Sequence, residues 1–164
     1  MATDQVTLVK SSFAAIQPAA DVVASRFYAR LFELEPGLRA LFQSDMAEQR
    51  RKLMEMLAAI VDALDRPSLI VAEVAALGQR HASYGVVAEH YTLVEQALLW
   101  ALAQQLGADW TAELEAAWRA AYTLVAATME AAARSVTHAP PGAIELPSDQ
   151  GAGQRVPHQE SDPD

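Results

Sequence analysis

The sequence predicts an all-α fold. Alanine and leucine dominate, β-branched runs are short, and no Asn-Gly or Asp-Gly pair sits between alternating strands to form a hairpin. Apolar residues recur instead at spacings of three and four over long stretches, which is the period of one helical face. With 164 residues and 52% apolar content, the chain suits one domain around one buried core.

Asp4 is placed to cap a first helix whose face carries Val6, Val9, Phe13 and Ile16 and which ends near Pro18. Proline fits the first turn of a second helix, running to about Leu34 with Val23, Phe27, Leu31 and Leu34 on its buried stripe and Tyr28 beside them. Glu35, Pro36 and Gly37 break that helix, and a short helical turn from Leu38 to Phe42 ends in an aromatic. Asp45, with Glu48 three residues later, resembles a capping box opening a helix from Met46 to Ala63. Gln49, Leu53, Met56, Leu57 and Ile60 share one face of it, so a polar amide heads an apolar stripe. Arg50, Arg51 and Lys52 flank that amide and read as an ordinary solvated face.

Pro67 starts a helix that carries Val74 and Leu77 and ends at His81, with Gly85 as the break. A long helix from about Ala88 to Leu106 follows, with Tyr91, Val94, Leu98 and Leu102 at helical spacing, and Gly107 stops it. Asp109 or Thr111 caps a last helix from about Ala112 to Val136, whose inner face carries Leu114, Trp118, Tyr122, Val125 and Met129. From His138 the chain turns rich in proline and glycine, without aliphatic periodicity and with five acids against one base. Residues 1–137 are therefore expected to fold and 138–164 to form a disordered acidic tail, because so little apolar surface cannot offset chain entropy.

The formal net charge of −9, with only 12 lysines and arginines, argues against nucleic acid and anionic membrane surfaces as partners. With no cysteine, disulfides, thiolate chemistry and cysteine-bound metal clusters are excluded. The N-terminus lacks a charged start followed by an apolar run, and no stretch reaches the length of a membrane span, so a cytoplasmic protein is expected. His81 stands apart from these generalities. It shares a helical face with Val74 and Leu77, so an apolar surface surrounds a nitrogen ligand; the bland alternative is a core histidine bonded to a carbonyl.

The segment Arg-Phe-Tyr-Ala-Arg-Leu-Phe-Glu-Leu-Glu-Pro-Gly-Leu-Arg-Ala-Leu-Phe, residues 26–42, resembles the second and third helices of flavohaemoglobins, single-domain bacterial haemoglobins and neuroglobin. Residues 77–100 resemble the proximal histidine region of the same globins, and Ala117-Trp118 with Tyr122 resembles their last helix. The spacing of 32 residues from Gln49 to His81 is similar to that of the bacterial members, and the resemblance covers about residues 4–135. It implies the seven-helix globin fold (helices A, B, C, E, F, G and H) and haem b, iron protoporphyrin IX.

Residue by residue, the resemblance makes His81 the proximal iron ligand and Phe42 the aromatic wedged against the porphyrin. Tyr28 and Gln49 match the distal pair facing bound gas, with Leu53 beside them, while Leu77, Val86, Tyr91 and Val94 match residues around the haem. Lys52 and Arg80 are placed to reach the propionates. The chemistry is coherent: haem iron takes one neutral imidazole nitrogen inside an apolar slot, and a phenol hydroxyl or amide N–H aimed at the gas stabilises its binding. No histidine lies between Met46 and Ala63, so a second histidine ligand from that helix is excluded.

One departure concerns the glutamate that supports the proximal histidine in flavohaemoglobins. Tyr91 matches its companion tyrosine, but the carboxylate position falls at Ser135, beside Ala133 and Arg134, with Glu130 one turn earlier as the substitute. No flavin or nicotinamide domain is recognisable. The leading expectation is reversible binding of dioxygen, and of nitric oxide or carbon monoxide, at five-coordinate haem by a monomer or weak dimer. The alternative is a nitric oxide dioxygenase served by a separate reductase. A haem-free globin-like interaction module is the third, and the presence of a Soret band in the purified protein would decide against it.

Overall fold

The computed structural model describes residues 1–42, 45–83 and 88–137. Six α-helices follow one another there: α1 (Thr3–Ile16), α2 (Ala20–Leu34), α3 (Met46–Ala63), α4 (Pro67–Ser83), α5 (Ala88–Leu106) and α6 (Ala112–Thr137). Short 3-10 segments at Gln17–Ala19, Pro36–Leu41 and Gly107–Asp109 join them, and no strand occurs among the described residues. The expected all-α architecture is thus the one observed. The segment 138–164 and residues Val86 and Gly85 lie outside the described residues.

Helix boundaries follow local chemistry closely, with four differences. Asp4 lies inside the first turn of α1, where its charge suits the helix dipole, and the Ala2 N–H donates to Gln5 Oε1 at 3.2 Å instead. Pro18 sits in the Gln17–Ala19 3-10 segment, so α2 begins only at Ala20. Asp45 accepts from the Ala47 N–H at 3.1 Å, but Glu48 turns to Arg51 and Lys52, at 3.6 and 3.7 Å, rather than completing the box. Helix α4 continues through Ser83, two residues past His81. Between the two expected caps of α6, Thr111 is the one used: its Oγ1 accepts from the Leu114 N–H at 3.1 Å, while Asp109 belongs to the preceding 3-10 segment. That segment opens at Gly107, whose φ of 54° ends α5 in a conformation that favours glycine.

The core sits where α2 packs on α5 and α1 on α6. Val9, Ile16, Val23, Leu31 and Leu102 are all at or below 1% exposure there. Its buried polar group is satisfied, since Ser12 Oγ accepts from Trp118 Nε1 at 2.9 Å and donates to the Val9 carbonyl at 3.0 Å, tying α1 to α6. The most extensive helix contact is elsewhere, between α4 and α6. Among the described residues, no helix is long and apolar enough to cross a membrane.

Candidate functional site

The apolar stripe of α3 is only half-buried. Leu53, Met56, Leu57 and Ile60 are intermediate in exposure, while the fully buried side chains of this stretch are Met54, Val61, Ala63 and Leu64. The half-buried four face a cavity of about 130 Å³. Its other walls are Leu77 of α4, Val94 and Leu98 of α5, and Val125, Ala126 and Met129 of α6, with Val9, Phe27 and Trp118 also lining it. Such a lining disfavours water and suits an apolar ligand.

The polar groups in this wall are few: His90, Tyr91 and Tyr122. Burial holds the Tyr91 hydroxyl above the usual tyrosine range, and the Glu130 charge adds to the rise, so Glu130 lies within electrostatic reach of Tyr91. Tyr122 is pushed up by burial first and then by Glu95, Tyr91 and Glu130, and its hydroxyl donates to the Tyr91 carbonyl. His90, which sequence analysis did not single out, lines the cavity from the first turn of α5 beside Tyr91.

Next to the cavity, α2 and α3 bring Tyr28 and Gln49 together. The two side chains share a hydrogen bond, which lowers the Tyr28 pKa, but burial outweighs it and pushes the phenol up to about 12. Tyr28 therefore remains a neutral O–H donor throughout the physiological range. Its ring is held edge-on by Phe27 at 4.9 Å and by Phe42 at 5.4 Å, and it stacks with Phe32 at 6.0 Å. Phe42 also meets Phe32 edge-on at 5.5 Å, and the Arg39 guanidinium lies 5.4 Å from the Phe32 ring. Phe42 is thus placed by aromatic packing at the foot of the 3-10 segment. It reaches Tyr28, whereas Phe27 and Leu53 line the cavity itself.

Of the sequence-derived residues, Leu53, Leu77, Tyr91 and Val94 line the cavity, and Tyr28, Gln49 and Phe42 cluster at its α2 side. The backbone of α4 carries His81, whose side chain lies outside the described residues, as does Val86. Lys52 is 56% exposed and pairs with Glu48, and Arg80 is exposed. Arg51 and Lys52 form the solvated face expected, Arg51 binding Glu55 at 2.7 Å, whereas half-buried Arg50 crosses to α2 and binds Asp21 at 2.9 Å. Sequence reasoning missed that the inner faces of α1 and α6 also wall the cavity. Their periodicity marked Val9, Trp118, Val125 and Met129 as buried without saying what they are buried against.

The globin family model matches residues 25–129. Among curated proteins, the chain is 34% identical over 118 residues to a flavohemoprotein of Bordetella pertussis, covering 70% of this chain and 29% of that protein. A flavohemoprotein of Bacillus subtilis is 28% identical over 124 residues, covering 74% and 31%. The chain therefore spans about three-tenths of the length of these curated relatives. A solved structure of an engineered carbene transferase, assigned as a nitric oxide dioxygenase of Rhodothermus marinus, superposes with a TM-score of 0.76 at 31% identity, covering 84% of this chain and 96% of that one.

Proposed function

The chain belongs to the globin family, and on that premise we propose that it binds haem b in the cavity walled by α3, α4, α5 and α6 and uses it to bind dioxygen and related diatomic gases reversibly. When bound, haem would supply an iron able to bind a diatomic gas reversibly.

His81, on α4, would hold the iron through its imidazole nitrogen, and Leu53, Leu57, Leu77, Val94 and Met129 would hold the ring and exclude water. The observation that carries the gas-binding reading is the Tyr28–Gln49 hydrogen bond beside the cavity. A buried, neutral phenol joined to an amide presents fixed donors at low cost of reorganisation, which favours a gas ligand that accepts a hydrogen bond. Phe42 orders the Tyr28 ring from the other side. Glu130 acts through Tyr91 as the carboxylate of the proximal wall, in the role that the family pattern places near Ser135. Lys52 and Arg80 serve as propionate contacts, Lys52 exchanging its 3.7 Å pairing with Glu48. Val86 completes the haem surround.

The second reading is nitric oxide dioxygenation, favoured by the likeness to the Rhodothermus marinus protein. It adds a reductase as partner, since sustained turnover needs an electron for each cycle. The protein is assigned to the cytoplasm, as a monomer or weak dimer, with dioxygen, nitric oxide and carbon monoxide as ligands. One experiment separates the readings: spectra of the ferric, ferrous and oxygenated protein, then nitric oxide. The carrier reading expects about one equivalent of nitrate per haem and then a stall, relieved by a flavin reductase but not by NADH alone. Sustained NADH-dependent turnover by the purified chain would put the enzyme first, and absence of a Soret band would remove both.

A further inference from the structure

Glycine is among the poorest helix formers, so Gly78 in the interior of α4 needs a reason. The three glycines whose surroundings are described give different ones. At Gly107 an added Cβ would meet nothing within 4 Å, and the positive φ alone explains the residue. At Gly37 a Cβ would come 3.1 Å from the Glu35 carboxylate, the movable end of a side chain. At Gly78 a Cβ would lie 2.5 Å from the Met129 carbonyl oxygen, 2.6 Å from its Cα and 2.9 Å from its carbonyl carbon. All three atoms are backbone, and none can swing aside. Helices α4 and α6 therefore touch main chain to main chain at this point.

We propose that Gly78 is a positioning residue: its direct backbone contact with Met129 sets the spacing of α4 from α6, and through it the placement of His81 relative to the cavity. The proposal rests on the reading of His81 as the axial ligand. His81 follows Gly78 by three residues, about 4.5 Å along the axis and on the neighbouring part of the helix surface. Leu77 and Met129, which border the contact, both line the cavity, so the spacing of the two helices is also the spacing of two cavity walls. Val74, one turn before Gly78, is buried to 1% exposure, which pins the preceding turn of α4. Any side chain at position 78 must open the contact by about 1 Å to reach ordinary packing distance, and a close-packed interior transmits that step along the helix. The segment carrying His81 moves with it.

The test uses the haem-loaded full chain with Gly78→Ala, and Leu102→Ala as a control that weakens the packed core away from the cavity. Three quantities are read: Tm, the iron–histidine stretching band of the ferrous protein by resonance Raman, and the rate of haem transfer to apomyoglobin. Alanine is the better helix former, so a bare propensity effect would raise Tm. The proposal expects Tm to fall, the band to shift, and haem to leave about 10- to 100-fold faster, while Leu102→Ala lowers Tm with the band unmoved. A band at the wild-type position in Gly78→Ala, or one shifted equally in Leu102→Ala, overturns it. If Gly78→Ala does not fold, Gly78→Ala with Met129→Gly gives α6 the freedom to yield. Recovered folding with a shifted band supports the proposal, and recovered folding with a wild-type band or no recovery overturns it. His81→Ala separates the two claims: persistence of the band there removes the His81 reading and this proposal together, whereas a band lost in His81→Ala and unmoved in Gly78→Ala removes this proposal alone.

Discussion

The α2–α5 side of the molecule and the α3–α4 side carry similar apolar stripes and put them to different use. On α2 and α5, Val23, Leu31 and Leu102 meet other side chains of the same chain and are buried to 1% exposure. On α3, Leu53, Met56, Leu57 and Ile60 fall at the same helical spacing but remain half-buried, because they face a cavity. Periodicity reports which face of a helix avoids water; it does not report whether that face closes on protein or on a prosthetic group. The contrast extends to polar groups. The α2–α5 contact carries the part-buried pair Arg26 Nη1 to Gln105 Oε1 at 3.2 Å, whereas the cavity wall holds His90, Tyr91 and Tyr122 with Glu130 nearby.

The largest effect is expected at the cavity. His81→Ala should lose the normal five-coordinate ferrous spectrum, and because His90 also lines the cavity, His81→Ala with His90→Ala is expected to lose haem retention altogether. Should the single variant keep a normal spectrum and the double variant lose it, axial ligation belongs to His90.

The same truncation made on each side measures the contrast directly. Leu102→Ala, at 1% exposure, is expected to destabilise the haem-free chain by about 2–5 kcal/mol, and half-buried Leu57→Ala by about 1–2 kcal/mol. Only Leu57→Ala should also hasten haem transfer. Equal losses in urea unfolding would erase the distinction between the two regions.

Tyr28→Phe probes the seam between them. Removing a hydrogen bond worth about 1–3 kcal/mol should speed dioxygen release about 5- to 100-fold, measured by stopped-flow. The same variant has an alkaline signature. Tyr28 ionises near 10.0 when unfolded and at about 12 when folded, so the unfolded state sheds its proton first and the wild-type chain loses stability as pH rises from 10 to 12. About 2–3 kcal/mol of that loss should disappear in Tyr28→Phe. Identical alkaline unfolding of the two proteins would show that the phenol is not held in its buried state.

The smallest pair concerns helix caps. Asp45→Ala on α3 and Thr111→Ala on α6 each remove one side-chain acceptor from a helix start and should cost about 1 kcal/mol. Their stability losses should match, but only the α3 variant is expected to change haem transfer. A matching change in Thr111→Ala would mean that the cavity responds to stability anywhere in the fold.

What the sequence determined by itself was local or pairwise at fixed spacing: the all-α class, the bounds of α3, the aromatic after the 3-10 segment, and Tyr28 with Gln49 as partners. These follow from capping, periodicity and the resemblance of motifs, each confined to one or two turns of chain. The tertiary structure decided what lies across a gap. It brought His90 to the cavity wall, set Glu130 within reach of Tyr91, and turned the inner faces of α1 and α6 into part of the enclosure. It also gave Gly78 its reason, a contact with Met129 fifty-one positions further along the chain by their numbers. No local rule contains that distance, because the spacing of two packed helices is set by the smallest residue at their crossing and by every side chain that must fit around it.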